Sequence, residues 1–137
     1  MNTAALPMSP LLTWLGWSVV LLLVQIVLQS SLAGLEFGPA YAAGPHDEER
    51  KPNNVYAGRA DRALKNLLET YPAFVALALA LALTAKTGGW GATGAQIWFW
   101  ARIVYLPLYL LGIPYIRTVA WTVSIVGLIM MLIALLG

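Results

Sequence analysis

Apolar residues run without a single charge from Leu11 to Leu35. At 1.5 Å per residue a helix of that length crosses a hydrocarbon core about 30 Å thick, so the run predicts a first transmembrane helix over 11–35. Gln25, Gln29, Ser30 and Ser31 interrupt it, and in lipid such groups turn toward a neighbouring helix that offers a hydrogen-bond partner. Glu36 to Gly58 then gathers Gly, Pro, Asn and charge, the composition of a solvated loop. The next apolar run, Tyr71 to Ala85, is too short alone. Starting the helix just after Gly58 gives a second crossing, 59–86, whose first turns are polar. Gly88, Gly89, Gly91 and Gly94 read as a short turn, 95–111 as a third crossing, Gly112-Ile113-Pro114 as a break and 115–136 as a fourth crossing. One long and two short connections predict a single domain over 1–137, an all-α membrane protein built as a four-transmembrane-helix bundle.

Composition agrees with that pattern. Of the 137 residues, 60% are hydrophobic and only 10% charged, which is a membrane protein's balance. The net charge of +2 reflects few charges of either sign, and no basic patch alternates with stacking aromatics, so nucleic acid is excluded as a partner. Cysteine is absent, which removes disulfides, thiolate metal sites and a protein-borne thiol nucleophile. Any thiol chemistry must use a thiol carried by a ligand. The segment Ala40-Tyr41-Ala42 has the form of a signal-peptidase site, but no basic region precedes the first run, so it reads as loop. His46-Asp47-Glu48-Glu49 lacks ligand spacing and predicts no metal site. Gly89-Trp-Gly91-Ala-Thr-Gly94 matches G-x-G-x-x-G literally, yet follows an apolar helix where the dinucleotide motif needs a strand. The alternation of Ala and Leu from Ala76 to Leu83 changes size and not polarity; read as helix it places Ala76 above Ala80 and Ala78 above Ala82, allowing close packing.

Arg50, Lys51, Arg59, Arg62 and Lys65 lie in or near the first loop and Arg117 follows the second break, whereas Lys86 stands alone on the other side. The excess of positive charge puts loops 1 and 3 in the cytoplasm. Trp14, Trp17, Trp90, Trp98 and Trp100 fall near predicted helix ends, where indole rings anchor at headgroup level.

The charge at the mouth of the second helix is ordered. At about 100° per residue, Asn66, Arg62 and Glu69 fall within roughly 80° of Arg59, while Ala60, Ala63, Leu64, Leu67 and Tyr71 lie to the other side. Asn66 and Glu69 are deepest, where an unpaired carboxylate is expensive, so Glu69 needs a partner. On the third helix Trp98, Arg102, Tyr105 and Tyr109 share a face. Arg102 lies inside an apolar segment, which makes it a functional-site candidate. The residues alone favour a structural role over a functional one, either an ion pair with Glu69 or a snorkelling arginine.

The stretch Arg59-Ala-Asp-Arg62-Ala63-Leu-Lys-Asn66-Leu-Leu-Glu69-Thr-Tyr-Pro72-Ala-Phe74 resembles the second-helix signature R-x-x-R-A-x-x-N-x-x-E-x-x-P-x-F of the MAPEG family, the membrane-associated proteins of eicosanoid and glutathione metabolism. Ala101-Arg102-Ile-Val-Tyr105-Leu-Pro-Leu-Tyr109 is similar to that family's third-helix motif, and Arg117 follows at about the distance of a second arginine in its enzymes. The long first loop and the Gly112-Ile-Pro-Tyr-Ile-Arg117-Thr turn look most like the bacterial branch, which implies a multi-pass protein of a bacterial inner membrane.

The resemblance implies a homotrimer of four-helix subunits that binds glutathione as co-substrate between neighbouring subunits, near the cytoplasmic face. By position, Arg59, Arg62, Asn66, Glu69 and Arg102 would bind glutathione, Tyr105 and Tyr109 would wall or hydrogen-bond it, and Arg117 would sit by the sulfur as the catalytic residue. A peptide with two carboxylates and an ammonium suits guanidinium forks, an amide and a carboxylate facing one cleft. Such an enzyme is a glutathione transferase or peroxidase acting on lipophilic electrophiles or lipid peroxides from the bilayer. A free thiol has a pKa near 8.5, and lowering it by about two units needs about 2.7 kcal/mol of thiolate stabilisation, within reach of one guanidinium. The sequence departs from some eicosanoid-forming members at Thr70, where they carry a tyrosine, and at Leu64, where they carry a polar residue. Those departures leave the electrophile open and keep the family's non-catalytic, lipid-presenting branch as the alternative.

Overall fold

A computed structural model describes residues 8–38 and 54–137. Its secondary structure is four helices: α1, Pro10–Phe37; α2, Val55–Leu83; α3, Gly89–Leu110; and α4, Pro114–Leu136. Ser9 opens α1 by accepting a hydrogen bond from Leu12 N–H, with Pro10 at the first helical position, the place where a missing N–H costs nothing. Asn54 opens α2, its Oδ1 accepting from the N–H groups of Tyr56 and Ala57. This cap starts the helix four residues before the position expected from the charge pattern, because an asparagine oxygen satisfies the first-turn donors. The loop residues 39–53, with Ala40-Tyr41-Ala42, His46, Arg50 and Lys51, lie outside the described residues.

Three helices, α1, α2 and α4, are long and apolar enough to cross a membrane. The third, of 22 residues, would span about 33 Å at 1.5 Å per residue, but its tryptophans, tyrosines and Arg102 lower its apolarity. The chain is a helical bundle of membrane type. Packing is most extensive between α3 and α4, then between α1 and α2; α2 touches both α3 and α4, and α1 and α4 do not meet.

The expected glycine turn is a correction. The break runs from Thr84 to Gly88, and α3 begins at Gly89, so Gly91 and Gly94 are helical. These glycines admit a neighbouring helix. A Cβ on Gly94 would lie 2.5 Å from the Gly127 carbonyl oxygen, and one on Gly127 would lie 2.6 Å from that of Gly94 and 2.8 Å from the Trp98 nitrogen. In lipid, where apolar burial drives nothing, backbone approach between small residues supplies the contact energy.

Trp98 is the second correction. It is fully buried and stacks on Phe74 with ring centroids 3.9 Å apart and 13° between planes, so it joins α2 to α3 instead of anchoring at a headgroup. Leu67, Tyr71, Ala78, Leu81, Phe99, Leu128 and Met131 complete that core. Ser18 locks α1 to it: its hydroxyl donates to Leu15 O at 2.5 Å, which leaves the Tyr71 hydroxyl to donate to Ser18 Oγ at 2.9 Å. Of the polar groups expected to seek a neighbour, Gln25 is buried, while Ser30 and Ser31 remain exposed.

Candidate functional site

The start of α2, the end of α3 and the start of α4 meet at one end of the bundle, and a hydrogen bond across the junction fixes them. Arg59 Nη1 donates to Leu110 O at 3.0 Å. Leu110 sits in the last turn of α3, where carbonyls lack intrahelical partners, and a cation there also matches the negative end of the helix dipole. The Arg59 guanidinium covers the turn itself, since a Cβ on Gly112 would meet its Nη2 at 2.7 Å. Gly112 has φ +73°, a left-handed conformation that glycine adopts without strain. Arg59, expected on the ligand, is therefore engaged in joining α2 to the α3–α4 turn.

Arg102 lies eight residues, about 12 Å, from the end of α3 and is 1% exposed. The expected partner was Glu69. Instead its Nη1 donates to Asn66 Oδ1 at 2.8 Å, and its guanidinium carbon stands 4.4 Å above the Tyr105 ring. The amide is one helical turn nearer the mouth of α2 than the carboxylate, and it is the group that reaches. Arg102 Nε and Nη2 are buried with no acceptor, as is the Trp98 indole N–H one turn earlier. A buried cation with two unpartnered donors is costly unless an acceptor arrives from outside the chain.

Glu69 is exposed and makes no ion pair with a described residue. It stands at the middle of the 29-residue α2. Arg62 is exposed, one turn toward the helix start from the half-buried Asn66, with its guanidinium over Gly58. Lys65 pairs with Asp61 at 3.0 Å, on the water side.

Tyr105 and Tyr109 continue the site from α3. Their rings are 5.6 Å apart and tilted by 49°, and the Arg117 guanidinium of α4 lies 4.6 Å above the Tyr109 ring. The order is thus Asn66, Arg102, Tyr105, Tyr109, Arg117, an unbroken series of contacts across three helices. The structure brings together Asn66, Arg102, Tyr105, Tyr109 and Arg117, sets Arg59 behind the turn, and leaves Arg62 and Glu69 on the uncovered face of α2.

A groove of about 630 Å³ runs between α3 and α4. It is lined by Trp100, Ala101, Val104 and Leu108 of α3 and by Ile116 and Ala120 of α4, among others, and not by Arg102, Tyr105, Tyr109 or Arg117. Sequence reasoning missed it. The signal available was the pair of alanines among bulkier apolar residues, but nothing in the pattern told which faces of α3 and α4 would leave them uncovered. Among the described residues no group of acidic or histidine side chains is placed to hold a metal.

The sequence profile of the MAPEG family matches residues 14–137. Neither a curated protein nor a solved structure matches the chain. The match takes in all four helices and every site residue described above, and the chain belongs to the MAPEG family, membrane proteins related to glutathione or eicosanoid metabolism.

Proposed function

We propose that this protein binds glutathione at the end of the bundle formed by α2, α3 and α4, holds it as the thiolate beside Arg117, and delivers the sulfur to a lipophilic electrophile or lipid peroxide. The observation that carries this reading is the state of Arg102: a guanidinium 1% exposed, with two buried N–H groups that have no acceptor. A ligand carboxylate satisfies both in the bidentate geometry that guanidinium favours. Asn66 holds the third nitrogen, so the fork is already oriented. Arg62 and Glu69 meet the remaining carboxylate and the ammonium of the peptide.

Arg117 supplies the positive charge that favours thiolate over thiol. The apolar groove between α3 and α4, whose lining includes the residue that precedes Arg117, receives the bilayer-derived lipophile. In conjugation the sulfur–carbon bond forms as the bond from that carbon to a leaving group breaks and the leaving group departs with its electron pair, or, with an activated alkene, as the π bond breaks and its electron pair takes a proton from water; in peroxide reduction two glutathiones become the disulfide as the peroxide becomes an alcohol and water.

Glu69 also supports a homotrimer. An exposed carboxylate at the middle of a membrane-spanning helix is expensive if lipid faces it, and Leu68, Pro72, Ala73 and Leu79 extend that uncovered face. In the assembly this face of α2 turns to another copy, and the ligand lies at the junction. Loops 1 and 3 are cytoplasmic, in a bacterial inner membrane. The groove equally favours a second reading, in which a lipid is bound and presented to a partner without thiolate formation.

Titration of the detergent-purified protein with glutathione, followed by thiolate absorbance, separates these readings. Saturable thiolate formation, lost in Arg117→Ala and weakened in Arg62→Ala, is the expected result. A well-folded protein that binds lipid and forms no thiolate would overturn the enzyme reading.

A further inference from the structure

Arg102 and Arg117 both sit over tyrosine rings, but they are held differently. Arg102 is buried and tied to Asn66 by a hydrogen bond as well as resting on Tyr105. Arg117 makes no hydrogen bond or ion pair with a described residue, and the Tyr109 ring is its one specific contact among them. Its setting offers no other hold. It is the fourth residue of α4, where the positive end of the helix dipole repels a cation; Tyr115, Ile116 and Thr118 beside it are exposed; and the other charged groups at this end of α2 and α3 are chiefly cations, Arg59, Arg62 and Arg102. Left alone, this guanidinium would swing into solvent.

We infer that the ring face of Tyr109, and not its hydroxyl, holds the Arg117 guanidinium over the site, which makes Tyr109 a positioning residue. Only the consequence for the thiolate rests on the glutathione reading above. The Tyr109 hydroxyl has no partner among the described residues, whereas its ring is braced against Tyr105, itself 4% exposed. The platform is therefore fixed from behind by the buried part of α3. A cation over such a ring face is favoured by about tenfold in occupancy, enough to keep a flexible arginine where a sulfur arrives.

The test compares Tyr109→Phe with Tyr109→Leu in the full-length protein. With arginine labelled by nitrogen-15, the Arg117 Nε–H resonance, identified by its loss in Arg117→Lys, reports the ring directly through its magnetic shielding and needs no glutathione. It is expected upfield in the native protein and in Tyr109→Phe, and at the free-arginine position in Tyr109→Leu. The thiolate signal with glutathione should fall about tenfold in Tyr109→Leu and return in Tyr109→Phe. Should Tyr109→Leu fold poorly, Tyr109→Met removes the ring while keeping apolar volume and is read in the same way. A resonance that stays at its upfield native position in the ringless variant, or a phenylalanine variant that loses the upfield shift as fully as leucine, overturns the inference. A native protein that shows the shielding but forms no thiolate leaves the positioning intact and sinks the glutathione reading alone.

Discussion

Replacing Arg102 by methionine separates a ligand-binding cation from a structural one. The side chain is 1% exposed, so its balance is set by what it touches. On the favourable side stand one charge-assisted hydrogen bond to Asn66, worth about 1.5–3 kcal/mol, and one cation–π contact with Tyr105, worth about 2 kcal/mol when desolvated. Against them stand two buried donors without acceptors, each costing about 1–3 kcal/mol, and the desolvation of the charge, several kcal/mol more. The terms cancel or come out unfavourable. Methionine fills similar volume, and half-buried Asn66 has access to water for its lost bond. The ligand-free Arg102→Met protein should accordingly melt within a few degrees of the native protein, or above it. Glutathione changes the comparison. At a hundred times its dissociation constant a ligand stabilises the native state by about 2.7 kcal/mol, and this increment should vanish in Arg102→Met. The assay is thermal unfolding in detergent, followed by circular dichroism, with and without glutathione. A ligand-free variant that loses several kcal/mol or falls apart as an assembly would refute the argument, because Arg102 would then be a structural pair whose acceptors belong to the protein.

Other substitutions test the frame around the site. Gly127→Ala places a methyl 2.6 Å from the Gly94 carbonyl and 2.8 Å from the Trp98 nitrogen; since both are backbone atoms that cannot rotate away, a loss of about 1–3 kcal/mol is expected, read as a lower midpoint in denaturant titration. Arg59→Ala removes the donor to Leu110 O and should cost about 1–2 kcal/mol, less than a fully buried charged bond because Arg59 is half-buried. It should also weaken the thiolate signal by loosening the turn that carries Arg117, while leaving glutathione affinity less affected than Arg62→Ala does. Tyr71→Phe deletes the hydroxyl that donates to Ser18; about 1 kcal/mol of stability should disappear, and Ser18→Ala in the same background should add almost nothing, a double-mutant cycle that checks whether the two act as one contact.

Much of the architecture was legible because the physics that writes it is local. An uncharged run longer than the bilayer is a crossing wherever it occurs, and Pro114 after Gly112 ends one helix and starts the next. The glycines before α3 were misread for a related reason. Glycine marks turns through its own backbone freedom, and Gly88 and Gly89 obey that rule. Gly91 and Gly94 owe their place instead to neighbouring helices: Gly94 faces Gly127 of α4, more than thirty residues away in the chain, and Gly91 faces Leu81 of α2 and Ala134 of α4. Trp98 shows the same limit: its position near a presumed helix end suggested an anchor, and the earlier start of α3 moves it into the core against Phe74.

The charged stripe shows how far a helical wheel carries a site. Arg59, Arg62, Asn66 and Glu69 do share a side of α2, but the stripe extends over about 15 Å of helix, and along that length the neighbours change. At its mouth the stripe meets the end of α3, and Arg59 is drawn to an unpaired carbonyl. About two turns deeper it meets the buried face of α3, and Asn66 takes a hydrogen bond from Arg102. Arg62 and Glu69, on the outer edge of the same stripe, meet no other helix of the chain. Periodicity places residues on a face; which of them is free to meet a ligand depends on the register of the next helix, set here by glycine contacts between α3 and α4. It follows that Arg62 and Glu69, which have no hydrogen-bond or ion-pair partner among the described residues, and the two unpartnered nitrogens of Arg102, are where a ligand or another copy has most to offer, and a substitution at Arg59 should disturb the site only through the turn it holds.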